Sequence, residues 1–104
     1  MKNRIMYIER KAGGEARIGR VAFNKTGRTI FYREHIFRRI VGGGFKSNYY
    51  DEATGEDYWI SGPKRRGGDR MYGSALPVPI DEDVRTEYWR DIRGKPERMD
   101  DESA

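Results

Sequence analysis

The sequence predicts a mainly β fold: a small SH3-like barrel, or a strongly bent antiparallel sheet, with one C-terminal α-helix. Three observations carry this prediction. Short stretches of mixed apolar and polar residues succeed one another up to Ser61, each broken by glycines or Asn/Asp turn residues. A fourfold apolar spacing stands out at Val84, Tyr88 and Ile92. The core must also rest on a few large rings. Hydrophobic residues are 36% of the chain, and seven Tyr, four Phe and two Trp supply most of the bulk in 104 residues. That length suits a single domain over 4–94, followed by a disordered acidic tail over 95–104. An OB-like barrel, or a plain meander packed by one helix, satisfies the same pattern.

The elements follow in order. Arg4 to Lys11, centred on Ile5, Met6, Tyr7 and Ile8, reads as a first strand, ended by Ala12-Gly13-Gly14. Ala16 to Phe23 is a second. Asn24-Lys25-Thr26-Gly27 is a hairpin turn in which Gly27 takes a positive φ. Arg28 to Arg33 is a third strand, Glu34-His35 a tight turn or bulge, and Ile36 to Val41 a fourth strand. Gly42-Gly43-Gly44 breaks the chain. Ser47 to Asp51 and Asp57 to Ser61 then flank a turn at Asp51-Glu52-Ala53-Thr54-Gly55. A basic Gly/Pro loop runs from Gly62 to Asp69, a short strand is expected from Arg70 to Gly73, and Pro77-Val78-Pro79 is extended. The helix spans about 81–93. Asp81 serves as its N-cap, Glu82 and Asp83 complement the dipole, and Gly94 sits just past its end. Trp89, one position off the apolar stripe, widens the buried face.

Composition removes whole classes of function. The chain has no cysteine, which excludes disulfides, thiolate zinc sites, iron–sulfur clusters and a Cys nucleophile. A single histidine, His35, excludes metal sites that need two, and beside Glu34 it reads as an exposed turn residue. No metal, cofactor or catalytic residue is expected. The apolar runs are too short for a membrane span or a signal-peptide core, so the expected location is cytoplasmic, with no membrane partner. Gly42-Gly43-Gly44-Phe45-Lys46-Ser47 lacks the phosphate-loop spacing and precedes a strand, so it reads as a strand connection. The carboxylates at Asp51/Glu52, Glu56/Asp57 and Asp81 to Asp83 are explained by turns and a helix cap rather than by paired acid chemistry.

Charge is the positive signal. Residues 1–80 carry 16 basic and 8 acidic side chains, and residues 81–104 carry 5 and 9. A basic body of this kind suits an anionic partner. The candidate site combines cations for phosphates with rings for bases: Lys64, Arg65 and Arg66 on the Gly/Pro loop, Arg70 and Lys46 nearby, and Tyr58 and Trp59 on the adjoining strand.

Several segments also resemble a group of short, uncharacterised bacterial proteins. They are Tyr7-Ile8-Glu9-Arg10-Lys11, Asn24 to Thr29, Gly44-Phe45-Lys46 with Asn48-Tyr49, Thr54-Gly55-Glu56 with Tyr58-Trp59-Ile60-Ser61-Gly62, Asp69-Arg70 with Tyr72-Gly73, and Ile80 to Arg85, a span of roughly 4–96. Some of that group bear the name 1-deoxy-D-xylulose-5-phosphate synthase. That enzyme is a far larger thiamine-diphosphate protein whose cofactor site 104 residues cannot build, so the resemblance implies no activity. The expectation is a small non-enzymatic interaction module whose basic face binds RNA, DNA or a ribonucleoprotein. The alternative is a protein–protein adaptor that uses exposed aromatics and the C-terminal helix.

Overall fold

The computed structural model describes residues 1–42, 46–65 and 77–104. Six strands, β1 (Lys2–Arg10), β2 (Ala16–Phe23), β3 (Thr29–Tyr32), β4 (His35–Arg39), β5 (Tyr49–Asp51) and β6 (Asp57–Ser61), form a closed antiparallel barrel in sequence order. β1 is the longest and closes the ring. One edge pairs with β2 from Lys2 opposite Phe23 to Glu9 opposite Ala16, and the other pairs with β6 from Tyr7 opposite Ser61 to Arg10 opposite Tyr58. Closure satisfies strand edges that would otherwise stand open. At the β2–β3 turn Gly27 adopts φ +73°, a conformation that favours glycine.

Strand alternation divides the apolar residues into two cores. Inward-facing Met6, Ile8, Val21, Ile30, Phe37, Tyr49 and Ile60 fill the barrel. Outward-facing Ile5, Tyr7, Ala16 and Ile18 carry a second cluster, covered by Val78, Ile80, Val84, Tyr88 and Trp89. A mainly β chain of this size therefore gains a second core by folding its C-terminal segment over β1 and β2.

The structure departs from the sequence reading in four places. His35 does not sit in the turn: the turn is Arg33–Glu34, with Arg33 at φ +52°, and His35 opens β4. The helix covers 82–92 and is not uniform. It is a 3₁₀ turn (Glu82–Val84), an α turn (Arg85–Glu87) and a π turn (Tyr88–Ile92). Tyr88 and Trp89 are consecutive and both buried, and the wider π turn, closed by Arg93 N–H on the Tyr88 carbonyl at 2.9 Å, lets both rings face the barrel. Asp81 occupies the N-cap position, but its side chain makes no cap bond and points elsewhere. Finally, the last ten residues are not a free tail. Val78 and Ala104 exchange N–H···O=C bonds of 3.1 and 2.8 Å, and Ile80 N–H reaches the Glu102 carbonyl at 2.8 Å. Trp89 Nε1–H donates to the Asp101 carbonyl at 3.0 Å, and the Arg98 guanidinium lies 4.3 Å from the Trp89 ring. These contacts are made largely by backbone groups and one cation–π pair, which composition does not register. The expected strand at Arg70 to Gly73 lies outside the described residues.

Candidate functional site

In an antiparallel meander, alternate turns fall at opposite ends. One end of this barrel gathers the β1–β2, β3–β4 and β5–β6 turns, and the other gathers the β2–β3 turn, the β4–β5 connection and the start of β1. The carboxylates sort with them. Every acidic residue before position 66 lies in or beside the first three turns: Glu9 and Glu15 at β1–β2, Glu34 at β3–β4, and Asp51, Glu52, Glu56 and Asp57 at β5–β6. The opposite end carries Lys2, Arg4, Lys25, Arg28, Arg39 and Lys46, and no carboxylate from the barrel strands or their turns. The barrel is polarised along its axis.

At the basic end, Lys2 sits opposite Phe23, and Arg39 N–H binds the Arg28 carbonyl at 2.8 Å, which places Arg28 and Arg39 side by side. Arg39 also lies 5.5 Å from the Tyr49 ring, and Tyr49 Oη anchors the β2–β3 turn by donating to the Gly27 carbonyl at 2.9 Å. Two open grooves border these residues. One, of about 670 Å³, is lined by Lys2, Arg4, Lys25 and half-buried Phe23, and the other, of about 630 Å³, by Arg28, Arg38, Arg39 and Val41. Arg38 is held by Glu52 at 2.6 Å. Among the described residues, Lys2, Arg4, Lys25, Arg28, Arg39 and Lys46 make no ion pair. Cations left without carboxylates are available to phosphates.

The structure divides the residues that the sequence grouped into one site. Lys46 and the exposed Lys64 and Arg65 lie towards the basic end, with Arg65 lining a groove with Arg4. Tyr58 does not: its ring faces into the barrel at the acidic end. Trp59, next along β6, faces outward and packs against the cluster under the helical segment. Arg66 and Arg70 lie outside the described residues.

The acidic end holds features that sequence reasoning missed. A cavity of about 250 Å³ opens there, lined by Ile8, Tyr32, His35, Phe37 and Tyr58, with Arg10, Glu15 and Arg17 also bordering it. His35 Nδ1 lies 2.7 Å from Oδ2 of buried Asp51, whose Oδ1 accepts the Ala53 N–H at 2.9 Å. Burial alone pushes the Asp51 carboxyl up, but the bonds from His35 and Ala53 outweigh it and hold the group below the ordinary carboxylate range. An ionised carboxylate only accepts, so His35 carries its hydrogen on Nδ1. Burial raises the Tyr58 phenol, and the nearby Asp51 and Glu56 carboxylates raise it further.

Beside the cavity, Asp81 reaches back over Gly19. Its buried carboxylate accepts from Tyr32 Oη and Arg17 Nε, at 2.5 and 2.8 Å, and pairs with Arg33 at 2.9 Å. Burial and the Asp81 hydrogen bond together push the Tyr32 phenol up to about 12. Any Cβ at position 19 would lie 2.4 Å from Asp81 Oδ2, so glycine permits this approach. Spacing along the chain could not place Asp81 beside Tyr32 and Arg17, since the contact crosses from the C-terminal segment to the barrel. Among the described residues, no group of three His, Asp or Glu side chains is placed to hold a metal, and no helix is long and apolar enough to cross a membrane.

Comparison with protein-family models, with curated proteins and with solved structures finds no match to this chain.

Proposed function

We propose that the protein is a non-enzymatic module that binds nucleic acid through the basic end of its barrel. The observation that carries this reading is the segregation of Lys2, Arg4, Lys25, Arg28, Arg39 and Lys46 away from every carboxylate of the barrel strands and turns. Charges of one sign on one end focus potential and attract a polyanion. Phe23, half-buried among Lys2, Arg4 and Lys25, offers a ring face beside phosphate-binding cations. An SH3-like affinity of the barrel and a cytoplasmic setting belong to the same proposal, and RNA, alone or in a ribonucleoprotein, is its first candidate partner. The adaptor alternative draws less support, because Tyr88 and Trp89 of the helical segment are buried within the molecule and not presented to a partner.

Labelled single-stranded RNA, titrated at several salt concentrations, tests the reading. Affinity should fall as salt rises. The pair Arg28→Ala and Arg39→Ala should weaken binding to all sequences alike and reduce the salt slope by about 1–2 units. Unchanged binding in that variant, or none by the wild type at low salt, overturns it.

A further inference from the structure

We infer that the aromatic cavity at the acidic end binds a small organic cation of the alkylammonium class. This site is independent of the nucleic-acid reading and lies at the opposite end of the barrel. Three observations converge on it.

The first is the wall. Tyr32, His35 and Phe37 form a row of near-parallel rings, with centroids 6.5 Å apart between Tyr32 and His35 and 5.5 Å between His35 and Phe37. Tyr58 closes the other side, tilted 53° to Phe37 at 4.6 Å. Rings at two inclinations around an apolar floor are what a cation without strong hydration prefers, since each ring face carries negative potential.

The second is charge. Two arginines border the cavity, which at first favours an anion. Both are engaged: Arg10 by Glu15 and Glu56 together, and Arg17 by Asp81. Arg10 is thus outnumbered by its carboxylates; Asp81 is in turn shared by Arg17 and Arg33, and the β5–β6 turn adds Asp51 and Asp57 with no lysine or arginine of its own. The mouth is therefore acidic overall, and an anion would have to displace existing ion pairs to enter.

The third is His35. Its Nδ1–H is committed to the buried Asp51 carboxylate, which fixes the ring in the cavity wall. The cavity, at about 250 Å³, is small, which selects a headgroup-sized ion over an extended ligand.

The test uses choline and its neutral isostere 3,3-dimethylbutan-1-ol, each titrated into the full chain while amide and side-chain NMR shifts are followed. Choline should perturb His35, Phe37 and Tyr58 and bind about tenfold more tightly than the isostere. Equal binding of the two would show an apolar pocket only, and absence of shifts with choline overturns the proposal outright. Glu15→Gln with Glu56→Gln removes charge from the mouth and frees Arg10, and these half-buried or exposed positions keep the fold testable where Tyr58→Ala does not. That variant should weaken choline several-fold and leave the isostere unchanged; undiminished choline binding contradicts the inference. A short uncharged peptide carrying trimethyllysine separates two sources of the same chemistry. Tighter binding than choline assigns the site to a modified side chain, and equal binding assigns it to a free amine.

Discussion

Gly19 shows how much one position can decide. It lies on β2 where the Asp81 carboxylate and the Tyr32 ring close in from two sides. Gly19→Ala would force a methyl group into that space, and overpacking of this kind costs ~1–3 kcal/mol, readable as a lowered melting temperature. Asp51 provides a pH signature. Its folded-state carboxyl is held below the ordinary range, so the stability it contributes is present above that range and is lost as pH falls through the folded value. Melting temperature followed into acid should therefore decline less steeply in Asp51→Asn than in the wild type, from a lower starting point. A parallel decline would show that the His35 pair does not contribute. His35 was legible in the sequence only as a lone histidine beside Glu34. Its partner lies 16 positions away across the β4–β5 pairing, a contact that register alone creates.

At the scale of elements, strands were the most legible part. β2 and β6 match their expected ends at Ala16–Phe23 and Asp57–Ser61, since alternation and turn residues bound both sharply. The helical segment was legible in position and in its buried Val84 and Tyr88, with Trp89 widening that face and Ile92 only half-buried, but not in its winding, which packing of two adjacent rings imposes. Tyr88→Ala should cost ~3 kcal/mol or more, as large aromatic truncations in cores do. A near-neutral result would mean that this face is not docked. The C-terminal strap was not legible, because its partners are carbonyls and the Trp89 ring. Removing residues 96–104 strips Arg98 from that ring and unpairs Val78 and Ile80. It should lower stability by more than ~1 kcal/mol, whereas a free tail would be removed at no cost.

Across the whole molecule, the decisive feature is the sorting of charge by barrel end. The sequence shows a basic body and an acidic C-terminal stretch, yet the sharper division lies inside the body. Of the turns that alternate along the chain, one set holds all the carboxylates and the other holds cations alone, and an antiparallel barrel converts that alternation into two ends. The signal was present in residues 9–57, but reading it requires knowing which turns share an end. The same geometry explains why the cations and rings grouped by proximity in sequence separate in space: Tyr58 and Trp59 are neighbours on β6 and so face opposite sides. The polarised barrel makes its strongest demand on where a nucleic acid lands. Amide shifts of the labelled protein, followed during titration with a single-stranded RNA oligonucleotide, measure this directly. Changes should concentrate at Lys2, Arg4, Lys25 to Arg28 and Arg39, and leave Glu15, His35 and Glu56 unmoved; shifts centred on the acidic end, or spread evenly over both, would contradict the account.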